Sequence, residues 1–141
     1  MIRRAKISDS LAVSNIAEKD LGYKASPELV EYRIKNLDNS REAVLLEEID
    51  GAVAGFIHIE KYEPVYSESL VNVLGLAVSS DYRRMGVGTR LIKSAEDWAE
   101  EHGISQIRLN SGMHRPEAHI FYRSIGFDNE RDQKRFLKTI K

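Results

Sequence analysis

The sequence predicts an α+β chain of the three-layer α/β type, with a mixed, mostly antiparallel central sheet flanked by helices. Three observations carry this. Strand-like and helix-like stretches run in the order strand, two helices, three strands, helix, strand, helix, and one or two closing strands. That order has too little strand–helix–strand alternation for a doubly wound parallel sheet. Asp50-Gly51 between two apolar runs is a strong type I′ hairpin signal, which makes two neighbouring strands antiparallel. An apolar run, Leu70 to Val78, leads through a glycine-rich turn into an amphipathic helix. The 141 residues fit one domain, 1–141, with a substantial core.

Ile2 to Ile7 reads as a short strand. Ser8, Asp9 and Ser10 offer helix-capping oxygens, and Leu11 to Asp20 follows as a helix with Leu11, Ile16 and Ala17 inward. Gly22 ends it. Ser26-Pro27-Glu28 starts a second helix with a cap, a first-turn proline and an acid at the positive dipole end. Leu29, Val30, Ile34 and Leu37 form its apolar face. Ala43 to Ile49 and Ala52 to Glu60 are the hairpin strands, and Tyr62 to Ser69 is a loop broken by Pro64. The third helix runs from Val87 to about His102. Its apolar positions are Val87, Leu91, Ile92, Ala95, Trp98 and Ala99, and Gly103 follows it. Trp98 is expected in the core. Ser105 to Asn110 is a strand, Pro116 to Ser124 a helix stopped by Gly126, and Phe127 and Lys134 to Ile140 are expected to close the sheet.

Composition narrows the chemistry. Apolar residues make up 42% and charged residues 30%, and the net charge is −1. Such a balance supplies no bulk attraction to nucleic acid or to an anionic membrane. There is no cysteine, which removes disulfides, thiol nucleophiles and cysteine-bound metals, and fits a cytoplasmic protein. No signal peptide and no membrane-length apolar run are expected. His58, His102, His114 and His119 lack metal-ligand spacing, so no metal is expected.

The sharpest feature is Arg83-Arg84-Met85-Gly86-Val87-Gly88. A strand that ends in a glycine turn at a helix N-terminus presents unpaired N–H groups and the positive end of the dipole, and glycine lets an anion reach the backbone. The stretch is expected to hold a pyrophosphate. It is neither a Walker loop, which needs Gly-Lys-Ser/Thr, nor a Rossmann fingerprint.

Leu76 to Ile92, LAVSSDYRRMGVGTRLI, resembles the acetyl-coenzyme A signature of the GNAT N-acetyltransferases, Gln/Arg-x-x-Gly-x-Gly/Ala after a strand ending in an apolar-x-Val unit. Ala118-His119-Ile120-Phe121-Tyr122-Arg123-Ser124-Ile125-Gly126-Phe127 is similar to the Ala-x-x-x-Tyr-x-x-x-Gly-Phe segment of the same family. The two segments are in the right order and at the right separation, and the order of elements matches over nearly the whole chain.

The resemblance implies a GNAT-like fold and an acetyl-CoA-dependent N-acetyltransferase that moves an acetyl group to a primary amine, on a small molecule or a peptide, by direct transfer. It implies that backbone groups of Leu76, Ala77 and Val78 pair with the pantetheine arm. The pyrophosphate would lie on Arg84, Met85, Gly86, Val87, Gly88 and Thr89, with the Arg83 side chain nearby. Asn110 would touch the cofactor. Tyr122 would be the general acid, since a phenol with a pKa near ~10 can protonate a departing thiolate. Dimers are common in the family, and Phe136 to Ile140 is a candidate for pairing with a second copy.

Two positions depart from the family. Leu74 stands where many members carry a glutamate on the central strand, and Arg115 stands where an asparagine often precedes the tyrosine. The proton acceptor is therefore open among Glu60, His58, Glu68, His114 and solvent, with Asn72 able to orient a water. His58 and Glu60 alternate with Ile57 and Ile59 and so share a face. The missing glutamate also keeps alive an alternative, a non-catalytic acyl-CoA-binding or sensor module on the same fold. Asp20, Tyr23, Glu28, Glu31, Tyr32 and the loop Tyr62 to Glu68 interleave tyrosines with acids, a composition suited to a cationic amine, including an aminoglycoside-like one.

Overall fold

The computed structural model describes residues 1–141, which divide into two compact units, Met1–Asn110 and Ser111–Lys141. The first unit contains strands β1 (Ile2–Arg4), β2 (Glu42–Ile49), β3 (Ala52–Tyr62), β4 (Leu70–Val78) and β5 (Ile107–Leu109). Its helices are α1 (Ser10–Ile16), α2 (Pro27–Lys35) and α3 (Val87–Glu101). The strands lie in chain order, antiparallel from β1 to β4 and parallel between β4 and β5. This is the mixed, mostly antiparallel sheet that the element order predicts. The hairpin turn has φ of 51° at Asp50 and 80° at Gly51, the two left-handed residues that a type I′ turn requires.

Alternation along the strands separates the layers. Leu46, Phe56 and Ala77 pack with Val13, Ile16 and Ala17 of the first helical segment. The opposite face carries Ile57 and Ile59, both fully buried, and α3 buries Val87, Leu91, Ile92, Ala95, Trp98 and Ala99. Trp98 is in the core, as its spacing implies. Leu11 is 60% exposed, and Val13 takes the inward place expected of it. The first helix also widens into a π turn, Ala17–Leu21, closed by Gly22 at φ 81°. Tyr23 N–H donates to the Ala17 carbonyl across that turn at 3.0 Å.

At the β1 edge, Arg3 donates to both carboxylate oxygens of Asp9 at 2.9 Å and to Glu48 Oε1 at 2.9 and 3.0 Å. Asp9 also accepts the Lys6 N–H at 2.7 Å. The Arg3 guanidinium beside it holds the Asp9 carboxyl below the usual carboxylate range, against the opposing effect of burial.

The second unit holds α4 (Pro116–Ser124), with proline in its first turn and Gly126 beyond its end at φ 103°. Phe127 N–H donates to the Tyr122 carbonyl at 3.0 Å, and Arg123 pairs with Glu130. The closing strands expected at Phe127 and Lys134 to Ile140 are absent. Phe136, Leu137 and Ile140 are each more than three-quarters exposed. A β-like composition forms a strand only where an edge offers hydrogen bonds, and this segment has none. No helix is long and apolar enough to cross a membrane.

Candidate active site

The central strand β4 changes character at Leu74. Val71, Asn72 and Val73 are paired on both sides, with Lys61, Glu60 and Ile59 of β3 and with Ile107, Arg108 and Leu109 of β5. Leu74 then has no partner on β3, because His58 faces Gly75 while Ile59 faces Val73. This bulge adds local twist, and pairing with β5 stops one residue before it. Gly75 to Val78 therefore keep β3 on one side, and from Leu74 onward the other side is an unpaired edge, ready to accept an extended chain by backbone hydrogen bonds. Leu76, Ala77 and Val78 are all on this segment.

Gly55 brings this strand end close to the helix that follows. A Cβ there would lie 2.8 Å from the Ala77 carbonyl oxygen and 3.1 Å from Val87 Cγ1. The chain leaves β4 through a short turn, Ser80–Tyr82, and reaches α3 with Arg84 at φ 63° and Gly86 at φ 78°. A left-handed non-glycine residue is uncommon and marks a constrained loop. Gly86 is the N-cap of α3, and no side chain caps that end. The first-turn N–H groups, from Val87 to Thr89, are thus open to an anion. Val87 is buried, Gly88 is half-buried, and Arg84, Met85 and Thr89 are exposed.

Two arginines beside this loop are held by buried carboxylates. Arg90 Nε donates to both oxygens of Glu47 at 3.0 and 2.9 Å, and a Cβ on Gly86 would lie 2.8 Å from Arg90 Nη1. Arg83 Nη2 lies 3.5 Å from Asp20 Oδ1 on the π turn. The Asp20 side chain is only 4% exposed, and its Oδ2 is buried with no hydrogen-bond partner. Sequence reasoning missed Arg90 and Glu47. The signal was a charged residue at an inward position of the apolar run AVLLEEI.

On the α1 side of the sheet, a polar row crosses four strands. His58 Nε2 and Glu42 Oε1 are 2.9 Å apart, Asn72 Nδ2 donates to Glu60 Oε2 at 2.9 Å, and Arg108 Nη1 donates to Asn72 Oδ1 at 2.7 Å. Arg108 Nη2 also reaches Asn110 Oδ1 at 3.2 Å, and its guanidinium lies 4.6 Å from the Tyr62 ring centroid. Glu68 and His114, the other candidate bases, are exposed. Arg108, the hub of this row, carried no sequence signal.

Tyr122 lies on α4 in the second unit. Its ring packs edge-on to Phe127 at 5.6 Å and beside Phe121 at 5.4 Å. Burial raises its pKa above the ordinary phenol value, and the charge of Arg115 partly opposes this. The group accordingly holds its proton through neutral pH.

The sequence pattern described as the acetyltransferase (GNAT) family matches residues 11–127. An uncharacterized N-acetyltransferase of Bacillus subtilis, YhfO, is 27% identical over 134 residues, covering 92% of this chain and 90% of the relative. A crystal structure of an aminoglycoside antibiotic 6'-N-acetyltransferase from Acinetobacter haemolyticus superposes with a TM-score of 0.84 at 20% identity, covering 100% of this chain and 99% of that one. A second solved structure, an enzyme in complex with a bisubstrate analog joining coenzyme A to acetylneamine, gives 0.84 at 15% identity, over 99% of this chain and 97% of that one.

Proposed function

This chain belongs to the acetyltransferase (GNAT) family, and from that premise we propose that it is an N-acetyltransferase moving acetyl from acetyl-CoA to a primary amine by direct transfer. One observation carries the reading above all. The unpaired β4 edge from Leu74 to Val78 runs straight into the left-handed loop and the uncapped N-terminus of α3. An extended amide-bearing arm fits the first, and a pyrophosphate fits the second.

In this reading Leu76, Ala77 and Val78 grip the pantetheine through backbone groups. Arg84, Met85, Gly86, Val87, Gly88 and Thr89 hold the pyrophosphate, Arg83 adds charge, and Asn110 is a further cofactor contact. The acetyl donor supplies an activated carbonyl. A neutral amine attacks it, and a backbone N–H near Val78 stabilises the oxyanion. Tyr122 protonates the departing thiolate. The 141 residues act as one domain, in the cytoplasm, on a small-molecule or peptide amine and without a nucleic-acid or membrane partner. Phe136 to Ile140 is the segment offered to a second copy.

Leu74, half-exposed at the bulge and unable to accept a proton, favours a second reading as an acyl-CoA-binding sensor. Thiol release from acetyl-CoA, measured with an aminoglycoside, a polyamine and an alanine-ended peptide, separates the two. Turnover with any of them supports the enzyme, and coenzyme A binding without thiol release with all three supports the sensor. Tyr122→Phe is expected to lower kcat by about 100-fold with KM for acetyl-CoA little changed. Unchanged kcat removes Tyr122 from the acid role.

A further inference from the structure

We propose that Glu60 takes the proton from the acceptor nitrogen, and that Asn72 and Arg108 are the residues that position it. The proposal rests on the acetyl-transfer reading above and supplies the proton acceptor that Leu74 cannot.

The geometry starts from strand register. Glu60 on β3 faces Asn72 on β4, and Asn72 faces Arg108 on β5, so the three stand on one line across the sheet. Arg108 fixes the Asn72 amide by occupying its oxygen, which turns the Asn72 nitrogen toward Glu60. Arg108 is itself fixed by the Tyr62 ring and by Asn110. One carboxylate oxygen, Glu60 Oε2, is engaged, and Oε1 has no partner within the protein. The line lies on the last paired stretch of β4 and β5, immediately before Leu74 and the open edge. A group held there faces the start of the segment that would carry the thioester.

His58 is the competitor on the same strand face, and the structure separates the two. His58 Nε2 is committed to Glu42 on β2, so its ring points away from β4, whereas Glu60 points toward β4. The charged groups around Glu60 are Glu42 directly opposite it on β2, Arg108 on β5 behind Asn72, and His58 two residues back on its own strand. A neutral amine attacks the carbonyl and the C–N bond forms. The nitrogen of that adduct is a far stronger acid than a free ammonium, so a carboxylate is basic enough to receive its proton. One N–H proton goes to Glu60 Oε1, the C–S bond breaks, and the thiolate leaves, taking a proton from the general acid or from solvent. Glu60 then returns to its starting state by giving the proton to solvent.

The test uses the full chain, acetyl-CoA, and the amine of the panel above that turns over fastest. Glu60→Gln keeps the shape and the bond from Asn72, and is expected to lower kcat about 100-fold near neutral pH. The deficit shrinks as pH rises and hydroxide replaces the carboxylate. Coenzyme A affinity by calorimetry and the thermal midpoint stay within error of the parent, which excludes misfolding and loss of the cofactor site. Asn72→Leu and Arg108→Met are each expected to lower kcat about tenfold, and Arg108→Lys to restore most of it. Combined with Glu60→Gln, Asn72→Leu adds nothing further, because it acts only through that carboxylate. Full activity of Glu60→Gln, a deficit independent of pH, or a loss produced by His58→Gln alone overturns the proposal. If the parent chain releases no thiol with any amine, the acetyltransferase reading falls first and this proposal falls with it.

Discussion

Two buried aspartates in this protein are built in opposite ways. Asp9, at the β1 edge, has a side chain 8% exposed, and every strong donor position around it is filled by Arg3 and the Lys6 N–H. Asp20, on the π turn beside the glycine loop, is 4% exposed, has one oxygen 3.5 Å from Arg83, and leaves the other without a donor. The burial is alike and the satisfaction is not. A carboxylate buried without a full set of donors costs free energy, and a structural role gives no reason to keep it. Asp9 ties β1 and the first helical turn together, while Asp20 stands beside Arg83 of the glycine loop with one oxygen unsatisfied. The π turn carrying it is itself a geometry common at functional sites.

The largest effect should come from opening the closed site. Asp9→Ala leaves half-buried Arg3 with Glu48 as its only carboxylate partner, beside the Arg4 carbonyl, and it should destabilise the fold by about 3 kcal/mol, read as a fall in the urea midpoint at constant slope. The pH dependence sharpens this. The folded-state pKa of Asp9 is lowered, so its contribution is fully present above the unfolded value of about 3.9 and is lost as pH falls through the folded value. The parent protein should lose stability in that acid window, and Asp9→Asn should flatten the loss. An acid limb identical in parent and variant would remove Asp9 from its cause.

The next effect belongs to the loop beside Asp20. Gly86→Val places a branched side chain at φ 78°, where a Cβ already meets Arg90 Nη1 at 2.8 Å. Both the strain and the displaced Arg90 act on the loop proposed to hold the phosphates, so affinity for acetyl-CoA should fall about 100-fold, or about 2.7 kcal/mol, by calorimetry. An affinity within about threefold of the parent would mean that the loop does not hold the phosphates.

What was legible follows the same division. The hairpin, α3 and its buried face, and the glycine loop are written in local chemistry: paired left-handed residues at Asp50-Gly51, a 3.6-residue period, and glycines at an uncapped helix start. The polar row, by contrast, depends on register. Arg108 becomes a partner of Asn72 only because β5 pairs in parallel with β4 and stops there, and nothing within SQIRLN encodes that. The bulge at Leu74 is invisible for the same reason, since it exists only as a mismatch between two strands. The tail failed in the other direction. KRFLKTI has strand composition, but the hydrogen bonds that make a strand belong to an edge it does not have.

The smallest expected effect is also the most discriminating for the two aspartates. Asp20→Asn removes a buried charge whose outer oxygen is unpaired, and it keeps the volume. Folding stability should therefore stay level or rise by less than about 1 kcal/mol, opposite in sign to Asp9→Ala. Arg83, 57% exposed, would lose the partner that draws it toward the loop, so KM for acetyl-CoA should rise about fivefold while kcat holds. That pairing of unchanged or greater stability with weaker cofactor binding is what a carboxylate kept to hold Arg83 beside the loop produces. A clear loss of stability in Asp20→Asn, matching that of Asp9→Ala, would show that Asp20 is as structural as Asp9.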